Sequence, residues 1–296
     1  MKKHLFYIAA AALMLAACSN DERDIQNNDD IIKLSANIAT PVTRATATDA
    51  LQNTQFNNST AIHVDVYETG GSAPMTNGSG TYTTTNTTGA LSGSLYYPTN
   101  GNNIDIEAYY PSTVTYSTTS FNVLADQSSA ANYCSSDLMY ATKLTNKAKG
   151  TTHGLTFNHA LSKIIVNITN GSGVTAGDIT SNVSAVKINN TKLTATIAKG
   201  VVSAATGSAT DITITGTTNT SNIGIIVPQT VVNGSAFITV TYNSNDYAYT
   251  LTADKTFEAG KVYTYALTLT AQGISLSSTT ITDWIPDTGD SQTITL

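Results

Sequence analysis

Short stretches in which apolar and polar residues alternate with period two recur along nearly all of this chain, and they constrain its fold more than any other feature. Ile62-His63-Val64-Asp65-Val66-Tyr67 and Ile104-Asp105-Ile106-Glu107-Ala108-Tyr109 each set aliphatic side chains on one face and polar or aromatic ones on the other, the pattern of a pleated strand. Further strands are expected at Leu138–Lys143, Leu155–Thr169, Ala185–Ile188, Leu193–Ala198, Asp211–Thr215, Ile223–Val227, Ala236–Tyr242, Tyr247–Thr252 and Lys261–Thr270. In the last of these, Tyr263, Tyr265, Leu267 and Leu269 share a face. With 52 Thr among 296 residues and 15 Tyr against 6 Phe, the composition suits half-buried sheet surfaces. No helical period appears beyond the first eighteen residues, except that Leu124–Tyr133 has room for a turn or two. Two Thr-, Gly-, Ser- and Asn-rich runs, 76–89 and 203–222, read as loops or loose hairpins. Many short strands with regular turn signals give an all-β fold of sandwich type. The interruption at Lys147, Lys149 and Gly150 places a division near 150–154, giving domains 45–152 and 153–296.

The charge pattern excludes several functions. Lys and Arg total 14 against 20 Asp and Glu, a net charge of -6, too few cations for a protein that binds nucleic acid by neutralising phosphates. Charged residues make up 11% of the chain, against roughly 25% in an ordinary soluble protein. No nucleophile elbow, zinc-protease, C-x-x-C, P-loop or dinucleotide motif is present, so neither enzyme activity nor a cofactor is expected. His63, His153 and His159 lack the spacing of a zinc set, and no metal is expected. Asp105 and Glu107 stand about 7 Å apart on one strand face. Such a pair is able to do acid–base work, but the expected reading is a solvated face that discourages edge pairing. Cys134 reads as a small buried hydrophobe.

Lys2 and Lys3 precede an apolar run from Leu5 to Ala17, the two opening regions of a secretory signal and too short to span a bilayer comfortably. Leu15-Ala16-Ala17-Cys18 resembles the lipobox of bacterial lipoproteins. That resemblance implies removal of residues 1–17, acylation of Cys18 and stable membrane anchoring. The acidic run Ser19-Asn20-Asp21-Glu22 resembles a surface-export signal of some Gram-negative lipoproteins. With Cys18 carrying lipid, Cys134 has no disulfide partner within the chain.

Several segments, in order along the chain, resemble the fimbrillin family, the type V pilins and related surface lipoproteins of Gram-negative anaerobes. They are Ile106-Glu107-Ala108-Tyr109-Tyr110-Pro111, Asp137-Leu138-Met139-Tyr140-Ala141, Leu155-Thr156-Phe157-Asn158-His159-Ala160-Leu161-Ser162-Lys163-Ile164, Phe257-Glu258-Ala259-Gly260-Lys261-Val262-Tyr263-Thr264-Tyr265 and Ile281-Thr282-Asp283-Trp284. Beside the resemblance, Ala259-Gly260-Lys261 reads as a reversing turn, Trp284 as a residue that seals a core, His159 as a hydrogen-bonded structural residue, and Pro111 as a strand stop. The resemblance implies two tandem transthyretin-like β-sandwich domains, an outer-membrane lipoprotein precursor, and an Arg-specific protease that removes an N-terminal strand. A neighbouring pilin subunit then fills the groove, and a ligand on a host or bacterial surface becomes a further expected partner.

The residues offer their own test of that processing step. In Ile31-Ile32-Lys33-Leu34-Ser35-Ala36-Asn37-Ile38-Ala39, the side chains of Ile32, Leu34, Ala36 and Ile38 share one face, as a groove-filling strand requires. Pro41 follows and favours an exposed loop, and then Arg44-Ala45. Arg23 and Arg44 are the chain's two arginines, and all nine basic residues after Arg44 are Lys. An Arg-specific protease therefore cuts ahead of the folded body and not within it. Residues 18–44 form the expected propeptide, with cleavage between Arg44 and Ala45. Twelve residues follow Trp284, with Ile294 and Leu296 on one face. They read either as a short donor strand or as the final strand of the second domain, and so blunt an end favours a tip or accessory subunit. The alternative from another class is a non-polymerising surface lipoprotein that binds glycans on exposed aromatic platforms.

Overall fold

Period-two sequences rich in Thr, Val, Ile and Tyr become paired strands throughout the computed structural model, which describes residues 30–39, 55–85, 89–214 and 221–284. Cys18, Arg44, Ala45 and the C-terminal run after Trp284 lie outside the described residues. The first half holds β1 (Lys33–Ile38), β2 (Ala61–Glu68), β3 (Ser79–Thr84), β4 (Leu91–Ser92), β5 (Ile104–Tyr110), β6 (Ser120–Asn122), α1 (Ala130–Ser135), β7 (Met139–Ala141), β8 (Leu144–Lys147) and β9 (Thr152–His159). The second half holds β10 (Ser162–Asn170), α2 (Ala176–Asn182), β11 (Val183–Ala198), β12 (Val201–Thr213), β13 (Ser221–Ile226), β14 (Gln229–Val231), β15 (Ala236–Tyr242), β16 (Asn245–Thr250), β17 (Lys255–Phe257), β18 (Lys261–Thr270) and β19 (Gly273–Asp283).

One sheet runs β1-β9-β7-β5-β2-β3-β4, with β8 also on β5. Its inward residues, among them Ile62, Val64, Ile104, Ile106, Leu155 and Phe157, form one apolar core. Two further sheets, β13-β10-β18-β19 and β12-β11-β15-β16, contribute together to a second core. That core takes Ile164 and Val166 from β10, Tyr263, Tyr265, Leu267 and Leu269 from β18, and Val186 and Ile188 from β11. It also takes Tyr109, Phe121, Tyr133 and Leu138 from the first half of the chain, and β6 pairs with β11. The two halves are therefore interleaved.

Several sequence expectations need correction. The strand expected over Leu155–Thr169 is two: Ala160 and Leu161 separate β9, in the first sheet, from β10, in the second. Both residues are buried, so the apolar pattern runs on while the chain changes sheets. Lys147, Lys149 and Gly150, which suggested the division at 152/153, stand at the end of β8 and in the turn before β9. Conversely, Ala185–Ile188 and Leu193–Ala198 belong to a single strand, β11, whose pairing shifts register between Ile188 and Thr191, where Asn190 adopts a φ of 58°. Much of the Thr-rich run after 203 is strand, β12, paired antiparallel with β11, and its β-branched Thr residues suit extension without an apolar stripe. Helix α2 was not expected. Its start carries a capping box, in which the Thr175 side chain accepts from the Asp178 main-chain N–H and the Asp178 carboxylate accepts from that of Thr175.

Candidate functional site: the seat of strand β1

Strand β1, with Ile32 directly ahead of it, buries the four side chains that the alternation selects. Ile32, Leu34, Ala36 and Ile38 are 0–3% exposed, whereas Lys33 and Asn37 face solvent. Full burial of Ile32, Leu34 and Ile38 stabilises this seat by about 1.5–3 kcal/mol per side chain. Tyr82, Leu95, Phe157 and Phe56 belong to the same core, and Phe56 meets Phe157 edge-on at 5.0 Å between ring centroids.

Both edges of β1 are bonded. On one side it runs parallel to β9 in unbroken register from Lys33 opposite Thr152 to Ile38 opposite Phe157, and the Ala39 N–H donates to Phe157 O at 2.8 Å. On the other side Ile32 N–H donates to Leu95 O (2.9 Å), Ala36 N–H to Gly89 O (2.8 Å), and Tyr97 N–H to Asp30 O (2.9 Å). Bridges join Ile31 to Tyr96 and Ser35 to Ala90. The Tyr82 hydroxyl donates to Ile32 O at 2.8 Å, and burial pushes that phenol up to about 12. Because β4 stands at the far end of the sheet, β1 closes the gap between its two ends. Gly89 is required for that closure: its φ is +84°, and a Cβ there would stand 2.2 Å from Ala36 O.

The residues that the alternation places on one face, Ile32, Leu34, Ala36 and Ile38, are buried; the sequence did not indicate Tyr82, Gly89 or Leu95. Their partners are 50 or more residues away, and no local pattern reports such a pairing. Arg44 and Ala45, where cleavage is expected, and Cys18, where lipidation is expected, lie outside the described residues, so the structure does not place them beside β1.

The other chemical constellation is the Asp105–Glu107 face, and the solvated surface expected there is instead a buried polar layer. Asp105 is 4% exposed and Glu107 8%. Cover comes from parts distant in sequence: the loop at Tyr116, whose N–H donates to Asp65 Oδ2 at 3.0 Å, and the β11–β12 turn. There Gly200 lies so close to the sheet that a Cβ would meet Tyr140 Cβ at 2.9 Å. Glu107 accepts from the Tyr67 and Tyr109 hydroxyls at 2.8 and 2.7 Å, and Lys143 and Lys199 stand 3.6 and 3.7 Å from it. Burial and the Glu107 carboxylate push both phenols well above their usual range. Burial also works to raise Asp105, but main-chain N–H groups of Asn146 and Gly70 and the Lys143 charge hold it below its ordinary value. For Asp65, burial is likewise outweighed by hydrogen bonds from His63 and Ser79, the His63 charge and the Tyr116 N–H. These carboxylates are occupied by fixed structural partners, and the layer ties the first sheet to the β11–β12 turn.

His159 is fully enclosed. Its Nδ1 lies 3.0 Å from Asp137 Oδ1, and its ring stacks on Trp284 at 3.8 Å with 6° between planes. Trp284, 5% exposed, belongs to the second core, and Cys134 is buried in the same core.

Comparison with known proteins adds a family and a fold. A family model described as fimbrillin-like matches residues 43–284. A Bacteroides uniformis protein named "Putative fimbrium subunit Fim1C" is 26% identical over 311 residues, covering 99% of each chain. Among solved structures, a "putative cell adhesion protein" from Bacteroides uniformis superposes with a TM-score of 0.68 at 23% identity, covering 88% of this chain and all of that one. The tip fimbrial protein Mfa3 of Porphyromonas gingivalis, truncated at its C-terminus, gives a TM-score of 0.52 at 11% identity over 86% of this chain and 99% of its own.

Proposed function

The chain belongs to the fimbrillin-like family, and from that premise we propose that it is a fimbrial subunit or tip adhesin, assembled by protease-triggered strand exchange and serving cell adhesion. One observation carries the assembly step: β1 lies at the N-terminal end of the folded body, bonded on both edges and filling an apolar trough with four buried side chains. Cleavage after Arg44 separates this strand covalently from everything behind it. Loss of β1 leaves unpaired main-chain groups on β9 and on residues 89–97, together with an open trough, and a strand from another pilin subunit restores both.

The remaining parts of the proposal follow from the sequence. An Arg-specific protease meets no arginine beyond Arg44, so the body survives processing. The lipid on Cys18 holds the precursor at the outer membrane, and because it lies on the same side of the cut as β1, displacement of the cleaved strand both opens the trough and releases the subunit from its anchor. The two apolar cores support a reading of two tandem transthyretin-like sandwiches. The body is expected to meet other pilin subunits and a ligand on a host or bacterial surface. The test is the Arg44→Ala variant expressed in cells. It should accumulate as a lipidated, membrane-bound monomer while the unaltered chain forms surface fibres; normal fibres from the variant would overturn the mechanism.

A further inference from the structure

At one end of the first sheet, the loop after β2 and the loop before β5 enclose a cleft of about 500 Å³, within the range of small-molecule sites. Its half-buried lining includes Met75, Tyr96 and Pro98, and its exposed rim carries Glu68, Asn77 and Asn100. Glu68 also borders a second cleft of equal volume, lined with Asn102, Asn103 and Asn146. Taken as one track through the shared Glu68, the two clefts offer an apolar part at Met75, Tyr96 and Pro98 and carboxamides at Asn77, Asn100, Asn102, Asn103 and Asn146.

The walls are braced from within. Met75 N–H donates to Val66 O at 2.8 Å and Gly78 N–H to Met75 O at 2.9 Å, fixing the first loop to β2. In the second loop, Gly101 N–H donates to Pro98 O and Asn102 N–H to Asn100 Oδ1 at 2.9 Å. The buried Tyr97 hydroxyl donates to Ala148 O at 2.9 Å and lies 2.6 Å from His153 Nε2. Asn100 and Asn102 Nδ2 donate to the two Glu68 oxygens at 3.2 and 3.4 Å, and Asn103 Nδ2 donates to Asn146 Oδ1 at 2.8 Å. A site braced in this way loses little freedom when it binds.

We propose that this track binds a neutral oligosaccharide. A sugar ring offers an apolar C–H face, suited to Tyr96 and its apolar neighbours, and pairs of hydroxyls that both donate and accept, as carboxamides do. Among the described residues, the lining of both clefts holds no Lys, Arg or His and one carboxylate, so a phosphorylated, sulfated or sialylated ligand would meet no counter-charge there. The inference does not require strand exchange, although Tyr96 and Tyr97 also belong to the segment bonded to the chain at Asp30 and Ile31: a chain that never polymerises can still bind sugar, and a fibre can form without it.

The test uses the lipid-free chain on a panel of immobilised neutral oligosaccharides, with sialylated and sulfated counterparts, and two variants. Tyr96→Ala removes the aromatic face, and Asn77→Gly removes a rim carboxamide while keeping the left-handed backbone at that position (φ 58°). Saturable binding to a neutral oligosaccharide is expected, weakened about tenfold by Tyr96→Ala and measurably by Asn77→Gly, the latter with an unchanged thermal midpoint. Absence of saturable binding to every neutral sugar, binding confined to acidic glycans, or neutral binding that neither variant weakens would overturn the assignment.

Discussion

Replacing Leu34 by Ala tests whether β1 is held by its inward face. Leu34 is 3% exposed in the first core, and truncating a buried Leu costs about 2–5 kcal/mol, the transfer term plus the cavity left behind. Lys33, its neighbour in the strand, faces solvent, and Lys33→Ala should change stability by no more than about 0.5 kcal/mol. Because the chain has two cores, a single unfolding midpoint would blur the effect. Hydrogen exchange resolves it by region. Amides of β9, which pair with β1 from Thr152 to Phe157, should exchange about 30-fold faster or more in Leu34→Ala, the factor corresponding to about 2 kcal/mol. Amides of β15, inside the second core, should change little. Equal effects from Lys33→Ala and Leu34→Ala, or β9 protection untouched by the loss of Leu34, would refute the claim that inward burial seats the strand.

Other consequences can be checked in the same way. Gly89→Ala places a side chain 2.2 Å from Ala36 O at a positive φ; it should cost about 2 kcal/mol or more and lower the thermal midpoint, with exchange rising first in β1. Trp284→Ala should cost about 3–5 kcal/mol by opening the second core beside His159, as read by chemical denaturation. Asp65 and Asp105 are both held below their ordinary 3.8 in the folded chain. Each therefore stabilises the fold above that pH, and its contribution is lost as pH falls through the lowered folded value. Stability measured between about pH 5 and pH 2 should drop along a limb that Asp65→Asn together with Asp105→Asn makes shallower; an identical acid limb in that double variant would contradict the buried polar layer.

How far the sequence disclosed this structure depended on the range of each interaction. The inward face of β1 was legible because a period of two is local, and for the same reason β18 follows its expected alternation from Tyr263 to Leu269. The seat itself was not legible. Ile32 bonds to Leu95 and Ala36 to Gly89, and nothing near either end announces a partner more than 50 residues away. Asp105 and Glu107 looked solvated because alternating charges on a strand usually are. What surrounds them comes from other parts of the chain: the main chain at Gly70 and Asn146 for Asp105, and Lys199 of the β11–β12 turn for Glu107. Ala160 and Leu161 hid the passage between sheets, since a buried crossing carries the same apolar signature as a buried strand.

Exchange also has to contend with the strength of the seat. A cut at Arg44 removes a covalent link but none of the bonds from β1 to β9 and to residues 89–97, so the cleaved strand stays in place until another strand displaces it. The most direct measurement is therefore treatment of the lipid-free precursor with an Arg-specific protease, followed by mass spectrometry and size-exclusion chromatography. The account predicts an intact body beginning at Ala45, loss of the peptide containing Ile32, Leu34, Ala36 and Ile38 when a competing strand is supplied, and that strand recovered in the body's fraction. A body that is cut after Arg44 yet keeps its own β1 against any excess of competitor would contradict it.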